Sequence, residues 1–203
     1  MNDKPWDARA AARLVRPFID SPSVMPNHFT VLRLVVGLGG ALAFASGTWP
    51  NAAAWLIVLS NFLDHTDGEL ARLGDKGSRF GHYFDLIADA IVTISMFVGI
   101  GIGLAQITAG NGPIVMGCIA GAAVAVIFQL RCRIEARHGK AATRQARWGG
   151  FEAEDVLYLL PLVTYCGGLS WFLHAAAVGA PIGAVIVIAQ YFKIGHRTAP
   201  TPP

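Results

Sequence analysis

The 203-residue chain is 54% hydrophobic and only 14% charged. Soluble domains carry about 25% charged residues, so this composition argues against a water-soluble globule and for a chain embedded in lipid. The net charge of +3 is modest, no nucleic-acid partner is expected, and the length suits one membrane domain.

Twenty-three glycines fit the same class, because glycine lets membrane helices pack closely. Cys118, Cys132 and Cys166 are odd in number and widely spaced. Cys118 and Cys166 fall in apolar runs and read as small core residues rather than ligands or a disulfide framework. Met1–Asp20 lacks a charged stretch followed by an apolar one, so no cleavable signal peptide is expected. Trp6, Ala10, Leu14, Phe18 and Ile19 recur instead at helical spacing, with Arg9, Arg13 and Arg16 between them. This predicts an amphipathic helix within residues 1–25, lying on an anionic membrane surface until Pro26 breaks it.

Six apolar stretches follow: Phe29–Ser46, Ala52–Leu63, Tyr83–Leu104, Ile114–Leu130, Val156–Leu173 and Ala175–Tyr191. A spanning helix needs about 20 mostly apolar residues. The second stretch reaches that length only if its helix runs on through the acidic residues after Leu63. The fifth and sixth nearly touch at His174, which requires a tight turn there. The predicted fold is all-α: a bundle of six transmembrane helices over residues 26–195, preceded by the interfacial helix. The Pro-rich residues 196–203 are expected to form a disordered tail.

The basic residues set the orientation. With a cytoplasmic N-terminus and six spans, all 16 Lys and Arg fall on the cytoplasmic side. The connections near Gly47–Asn51, Gln106–Pro113 and Leu173–His174 hold none. The positive-inside rule therefore predicts both termini in the cytoplasm of an inner membrane protein, its polar end on the same face.

That face carries a peculiar group of acids. Asp64 and Asp67, three apart, end the second span; Asp85 and Asp89, four apart, begin the third. Each pair shares a helix face, and the two helices are consecutive and antiparallel, so four carboxylates converge. Bare, they would repel strongly in a partly dehydrated site. Oxygen ligands of this kind suit Mg²⁺ or Mn²⁺ rather than zinc. His65 and His82 flank the cluster at positions less suited to the shared face. The competing reading is a salt-bridged helix end, with Arg72 and Arg79 neutralising part of the cluster. Gly68 and Ala71 leave room for a bulky ligand, and Arg72 is a fixed cation suited to a phosphate. Together these features describe a phosphoryl-transfer site.

The run Asp64-x2-Asp67-Gly68-x2-Ala71-Arg72-x8-Gly81-x3-Asp85-x3-Asp89 resembles, without a departure, the motif of the CDP-alcohol phosphatidyltransferase family. Pro26-Asn27-His28-Phe29-Thr30 is similar to the Pro-Asn-x-x-Thr that opens that family's first span. The resemblance implies two metal ions held by Asp64, Asp67, Asp85 and Asp89, with Asp64 and Asp85 bridging. It makes Asp89 the general base for the acceptor hydroxyl. It assigns the CDP portion to Asn27, His28, Phe29, Thr30, Gly68, Arg72 and Ser78, with Ala71 and Gly81 giving close packing there. It further implies a CDP-alcohol donor, commonly CDP-diacylglycerol, release of CMP, a role in phospholipid synthesis, and a homodimer.

The acceptor is expected to meet the loop Arg131–Asp155. Arg131 and Arg133, nearest the membrane, are the candidates for a phosphorylated acceptor; alternatively the loop's charges only fix topology and touch lipid headgroups. Glu152, Glu154 and Asp155 read mainly as capping residues. Ser78-Arg79-Phe80-Gly81 resembles the branch that uses a soluble CDP-inositol donor, which is the alternative substrate reading. A divalent-cation transporter or a non-catalytic adaptor would be a different class. A transporter, however, needs polar groups at mid-membrane and on the far side, where this chain has no acids.

Overall fold

The computed structural model describes residues 6–138 and 153–197. Among these, all regular structure is helical. The helices are α1 (Trp6–Val15), α2 (Pro26–Ala45), α3 (Pro50–Leu73), α4 (Arg79–Thr108), α5 (Gly112–His138), α6 (Leu160–Tyr165) and α7 (Leu169–Arg197). Short 3-10 turns cover Arg16–Phe18 and Ala153–Leu159.

Proline at the first helical position starts both α2 and α3, where its missing N–H costs nothing. At the start of α2 the Met25 N–H donates to Nδ1 of His28 at 3.3 Å. Gly47, at φ +68, turns the chain between these two helices. The third helix continues through the acidic residues to Leu73, and its 24 residues rise about 36 Å at 1.5 Å each. Its last turn closes with the Lys76 N–H on the Ala71 carbonyl at 3.0 Å and Asp75 at φ +50. The Ser78 hydroxyl then caps α4 by accepting from the Gly81 N–H at 2.9 Å.

Among the described residues, four helices are long and apolar enough to cross a membrane: Pro26–Ala45, Arg79–Thr108, Gly112–Ile134 and Leu169–Lys193. α3 has the length, but Asp64, Asp67, Glu69 and Arg72 occupy its last turns. Large apolar side chains such as Leu42, Ile107, Val178 and Val185 face outward from the bundle. That inversion of the soluble pattern marks a multi-pass membrane protein. Cys118 and Cys166 are also exposed rather than in the core. An apolar run in lipid says nothing about which face points inward.

α2 lies between α3 and α4, packing closely on both, while α3 and α4 meet only sparingly. α5 packs on α4 and α7, and α6 on α3. The core runs through Phe44, Ile57, Val92, Met96, Phe97, Ile100, Leu160 and Leu173. Gly99 and Gly103 let α4 cross α2: a Cβ on either would run into the carbonyl oxygen of Ala41 or Phe44.

One further expectation changes. The chain does not turn at His174, which lies inside α7. It turns at Gly167-Gly168, where Gly167 adopts φ +67 and the Gly168 N–H reaches the Val163 carbonyl at 2.8 Å. Glycine takes this left-handed conformation without strain, and apolar length alone conceals that stop. The fifth apolar stretch is accordingly a short helical piece from Ala153 to Tyr165. In α1, the face against α3 consists of Asp7, Ala8, Ala11 and Val15, while Leu14 of the apolar stripe is directed away from it and 47% exposed. Asp7 is held there by Nε2 of His65 and the Tyr158 hydroxyl, each 3.2 Å from its Oδ2. Residues 198–203, Lys4, Lys140, Arg144, Arg147 and Glu152 lie outside the described residues, as do the side chains of Arg137, Glu154 and Asp155.

Gly103→Leu is expected to force α4 off α2 and cost about 1–3 kcal/mol. A fall in the thermal unfolding midpoint of the detergent-solubilised protein would register it, and an unchanged midpoint would show that the crossing is looser than described.

Candidate active site

Helical geometry presents the acids as pairs. Asp64 and Asp67 stand on the last turns of α3, Asp85 and Asp89 on the first turns of α4, and five residues, Gly74–Ser78, join the helices. Asp64, Asp67 and Asp85 each offer an oxygen within 4.8 Å of the others. Two ligand oxygens on one Mg²⁺ or Ca²⁺ stand up to about 4–5 Å apart, so the trio suits a shared hard cation. Asp89 lies outside that trio and is tied to it through Arg33.

α2 supplies what the pairs share. Thr30 and Arg33, three apart, point from one face of α2 into the acids, and both are buried. The Thr30 hydroxyl donates to Oδ2 of Asp67 at 2.7 Å. Arg33 places Nη1 2.6 Å from Oδ1 of Asp64 and 3.5 Å from Oδ1 of Asp89. Its Nη2 lies 3.0 Å from Oδ1 of Asp85 and 2.7 Å from the Asp85 carbonyl. One guanidinium cannot balance four ionised carboxylates, so the all-oxygen donor set still fits divalent cations.

Beside the acids opens a cleft of about 550 Å³. Its walls include Asn27, Thr30, Asp67, Gly68, Ala71, Arg72, Ser78, Gly81 and Asp85. A Cβ on Gly68 would meet nothing within 4 Å, so the wall stands open there. On Gly81 it would come 2.9 Å from Oδ1 of Asn27, so this glycine lets α4 approach the start of α2. Lys76 also reaches the cleft, but its ammonium donates to the carbonyls of Phe18, Ser21 and Val24 at 2.7–3.0 Å.

The structure does not gather every residue picked from sequence. His28 caps α2, and Phe29 packs edge-on against Phe18; neither lines the cleft. Arg131 and Arg133 stand on α5, away from the cleft wall. Arg72 pairs with buried Glu69 at 2.6 Å, while its own side chain is 62% exposed. The cluster is therefore not neutralised by Arg72, as the salt-bridge reading expected: among the described ion pairs, its cation is Arg33. Sequence reasoning counted Arg33 only as a topological charge. The missed signal was an arginine inside an apolar stretch, three residues after Thr30, where an ionised side chain is expensive without a partner.

The sequence profile described as CDP-alcohol phosphatidyltransferase matches residues 23–191. The chain belongs to that family.

A CDP-diacylglycerol–serine O-phosphatidyltransferase of Helicobacter pylori is 40% identical over 68 residues, which are 34% of this chain and 28% of the relative. A CDP-diacylglycerol–glycerol-3-phosphate 3-phosphatidyltransferase of Cereibacter sphaeroides is 41% identical over 78 residues, covering 36% of this chain and 35% of the relative. The matches thus span about a quarter to a third of these curated relatives. Among solved structures, the fold is similar to Mycobacterium tuberculosis phosphatidylinositol phosphate synthase. With CDP-DAG bound, that structure gives a TM-score of 0.62 at 24% identity, covering 96% of this chain and 95% of the other. In its complex with manganese and citrate the TM-score is 0.68 at 22% identity, covering 92% and 88%.

Thr30→Val keeps the side-chain shape but removes the donor to Asp67. Loss of such an outer hydrogen bond typically lowers metal affinity about 10–100-fold. A Mn²⁺ titration of the purified variant against the parent chain is expected to show that loss, and equal affinities would show that the Thr30 hydrogen bond does not support metal binding.

Proposed function

We propose that this chain transfers a phosphatidyl or other phospho-alcohol group from a CDP-alcohol to an acceptor hydroxyl, releasing CMP. CDP-diacylglycerol is the donor that best suits a site at the end of a membrane bundle. The observation that carries the reading is the meeting of two helix-borne aspartate pairs beside a cleft opened by Gly68 and Ala71. The names of similar proteins point the same way, since the curated relatives are CDP-diacylglycerol phosphatidyltransferases acting on serine, inositol or glycerol 3-phosphate.

In this reading the cytidine diphosphate lies along Asn27, Thr30, Gly68, Ala71, Arg72, Ser78 and Gly81. Asp64, Asp67, Asp85 and Asp89 hold two Mg²⁺ or Mn²⁺ ions, which when bound neutralise the pyrophosphate and improve CMP as a leaving group. The acceptor oxygen forms a bond to the phosphorus that carries the donor alcohol, and the bond from that phosphorus to the CMP oxygen breaks. Asp89 takes the acceptor proton; its place outside the tight trio of carboxylates leaves it suited to that task. Thr30 fixes one oxygen of Asp67 by hydrogen bonding, and Arg33 orients Asp64, Asp85 and Asp89 from α2. Arg131 and Arg133 remain candidates for a phosphorylated acceptor only if the substrate extends from the cleft toward α5.

The same reading takes residues 26–195 as a six-pass domain. α3 adds a fifth crossing to the four long apolar helices, and the sixth runs from Ala153 through Tyr165 to the Gly167-Gly168 turn, stretched by the greater rise of its 3-10 residues. The site then opens to the cytoplasm from an inner membrane, both termini lie on that side, residues 1–25 rest on the membrane surface, and the protein works as a homodimer.

The decisive assay incubates the protein in nanodiscs with labelled CDP-diacylglycerol, Mn²⁺ and separate acceptors: serine, inositol, inositol 1-phosphate and glycerol 3-phosphate. CMP release should depend on one acceptor and stop with chelator. In Asp89→Asn it should fall about 10²–10⁴-fold, the usual worth of a general base, without loss of folding. Release that ignores every acceptor, or survives the substitution, refutes the proposed roles. Activity only with a soluble CDP-alcohol would reassign the donor.

A further inference from the structure

Arg33 is unusual among the cations of this chain. It is buried, whereas Arg72 at the cleft wall is largely exposed. Three of the four aspartates lie within 3.5 Å of its Nη atoms, and its Nε is buried without a hydrogen-bond partner. The cleft wall includes Asp67 and Asp85 but not Arg33, so a ligand in the cleft approaches the carboxylates from a different side. The guanidinium contacts Oδ1 of each of Asp64, Asp85 and Asp89.

We propose that Arg33 is a resident counter-cation of the aspartate cluster: it keeps the carboxylates together without divalent ions and lowers the affinity with which those ions bind. The proposal rests on the metal-assisted reading above and adds a positioning residue to it. Two physical points carry it. A fixed positive charge within a few ångströms offsets carboxylate repulsion, and it equally repels any further cation that shares those carboxylates. Moreover, the helix frame has other holds besides the guanidinium. The Ser60 hydroxyl donates to the backbone carbonyl of Arg33 at 2.8 Å, a bond that any residue at position 33 retains. Thr30 holds Asp67 independently, and Gly37 seats α2 against Val92 and Ser60. Once a divalent ion takes over the holding of the carboxylates, loss of the guanidinium leaves the site with one positive charge fewer, which is the condition for tighter metal binding.

An arginine with a purely structural role would behave differently, since its loss would lower stability equally with and without metal. The test uses the full chain in detergent, stripped with chelator, and reads thermal midpoint and Mn²⁺ affinity for the parent, Arg33→Met and Arg33→Lys. Without metal, Arg33→Met should melt roughly 10 °C lower, the scale expected when one partner of a buried charge group is removed. Saturating Mn²⁺ should restore most of that loss, and its Mn²⁺ affinity should rise about tenfold or more. Arg33→Lys, which keeps the charge, should stay within about threefold of the parent.

Unchanged or weaker Mn²⁺ affinity in Arg33→Met, or an equal loss of midpoint with and without Mn²⁺, overturns the proposal while leaving the proposed reaction intact. A parent chain that binds no Mn²⁺ overturns both. If Arg33→Met does not fold even in Mn²⁺, the charge-balanced pair Arg33→Met with Asp89→Asn should recover folding, and its failure to do so also overturns the proposal.

Discussion

A single guanidinium, sunk between three helices and facing three carboxylates, is the constraint on which the polar end of this bundle depends. An ionised arginine is expensive to bury, and the cost is met only where opposite charges and good hydrogen bonds surround it. Arg33 finds them only if α3 and α4 both present their acid-bearing turns to α2. α3 and α4 touch each other little, so the approach of their aspartates is mediated by α2 rather than by direct packing. Thr30 on Asp67 and Ser60 on the Arg33 carbonyl fix the remaining freedom. Further along the same helix pair, Gly99 and Gly103 set how closely α4 lies on α2.

Much of this was legible in the sequence, for definable reasons. The aspartate spacings fix a shared helix face whatever the tertiary detail, because side chains three and four apart align on any α-helix. Their convergence followed from two consecutive antiparallel helices. The continuation of α3 to Leu73 followed from length, since Ala52–Leu63 alone is too short to span. Tertiary choices were harder to see. The partner of Arg72 is Glu69, one helical turn earlier and buried, and nothing in the local pattern says that this acid points inward. His28 and Phe29 sit among cleft residues in sequence, but the helix carries them round to other faces. In lipid, apolar residues line both the inside and the outside of the bundle, so periodicity loses its power over Cys118 and over the Val156–Leu173 boundary.

The first helix shows how a surface element is tied to the reactive end. Asp7 is buried against α3 and faces His65, which stands between Asp64 and Asp67 in sequence, and Tyr158 of the 3-10 turn Ala153–Leu159. Nδ1 of His65 lies 3.0 Å from the Asn61 carbonyl one turn earlier, so its ring is held at both nitrogens. α1 is thereby fastened to the acid-bearing stretch of α3 through polar contacts, with Ala8, Ala11 and Val15 completing the seam. The inward face of α1 is narrow and built of small residues, leaving Leu14 directed away from the bundle.

Lys76 has a more subtle significance. Its ammonium has three donors, and the carbonyls of Phe18, Ser21 and Val24 take all three. A lysine so committed is a latch rather than a hook: it fastens the strap between α1 and α2 to the corner between α3 and α4. Asn27 and Thr30 follow that strap, and Ser78 and Gly81 follow that corner. The two rims of the cleft are therefore buckled together at their hinge, and a ligand would enter a mouth whose width is set before it arrives.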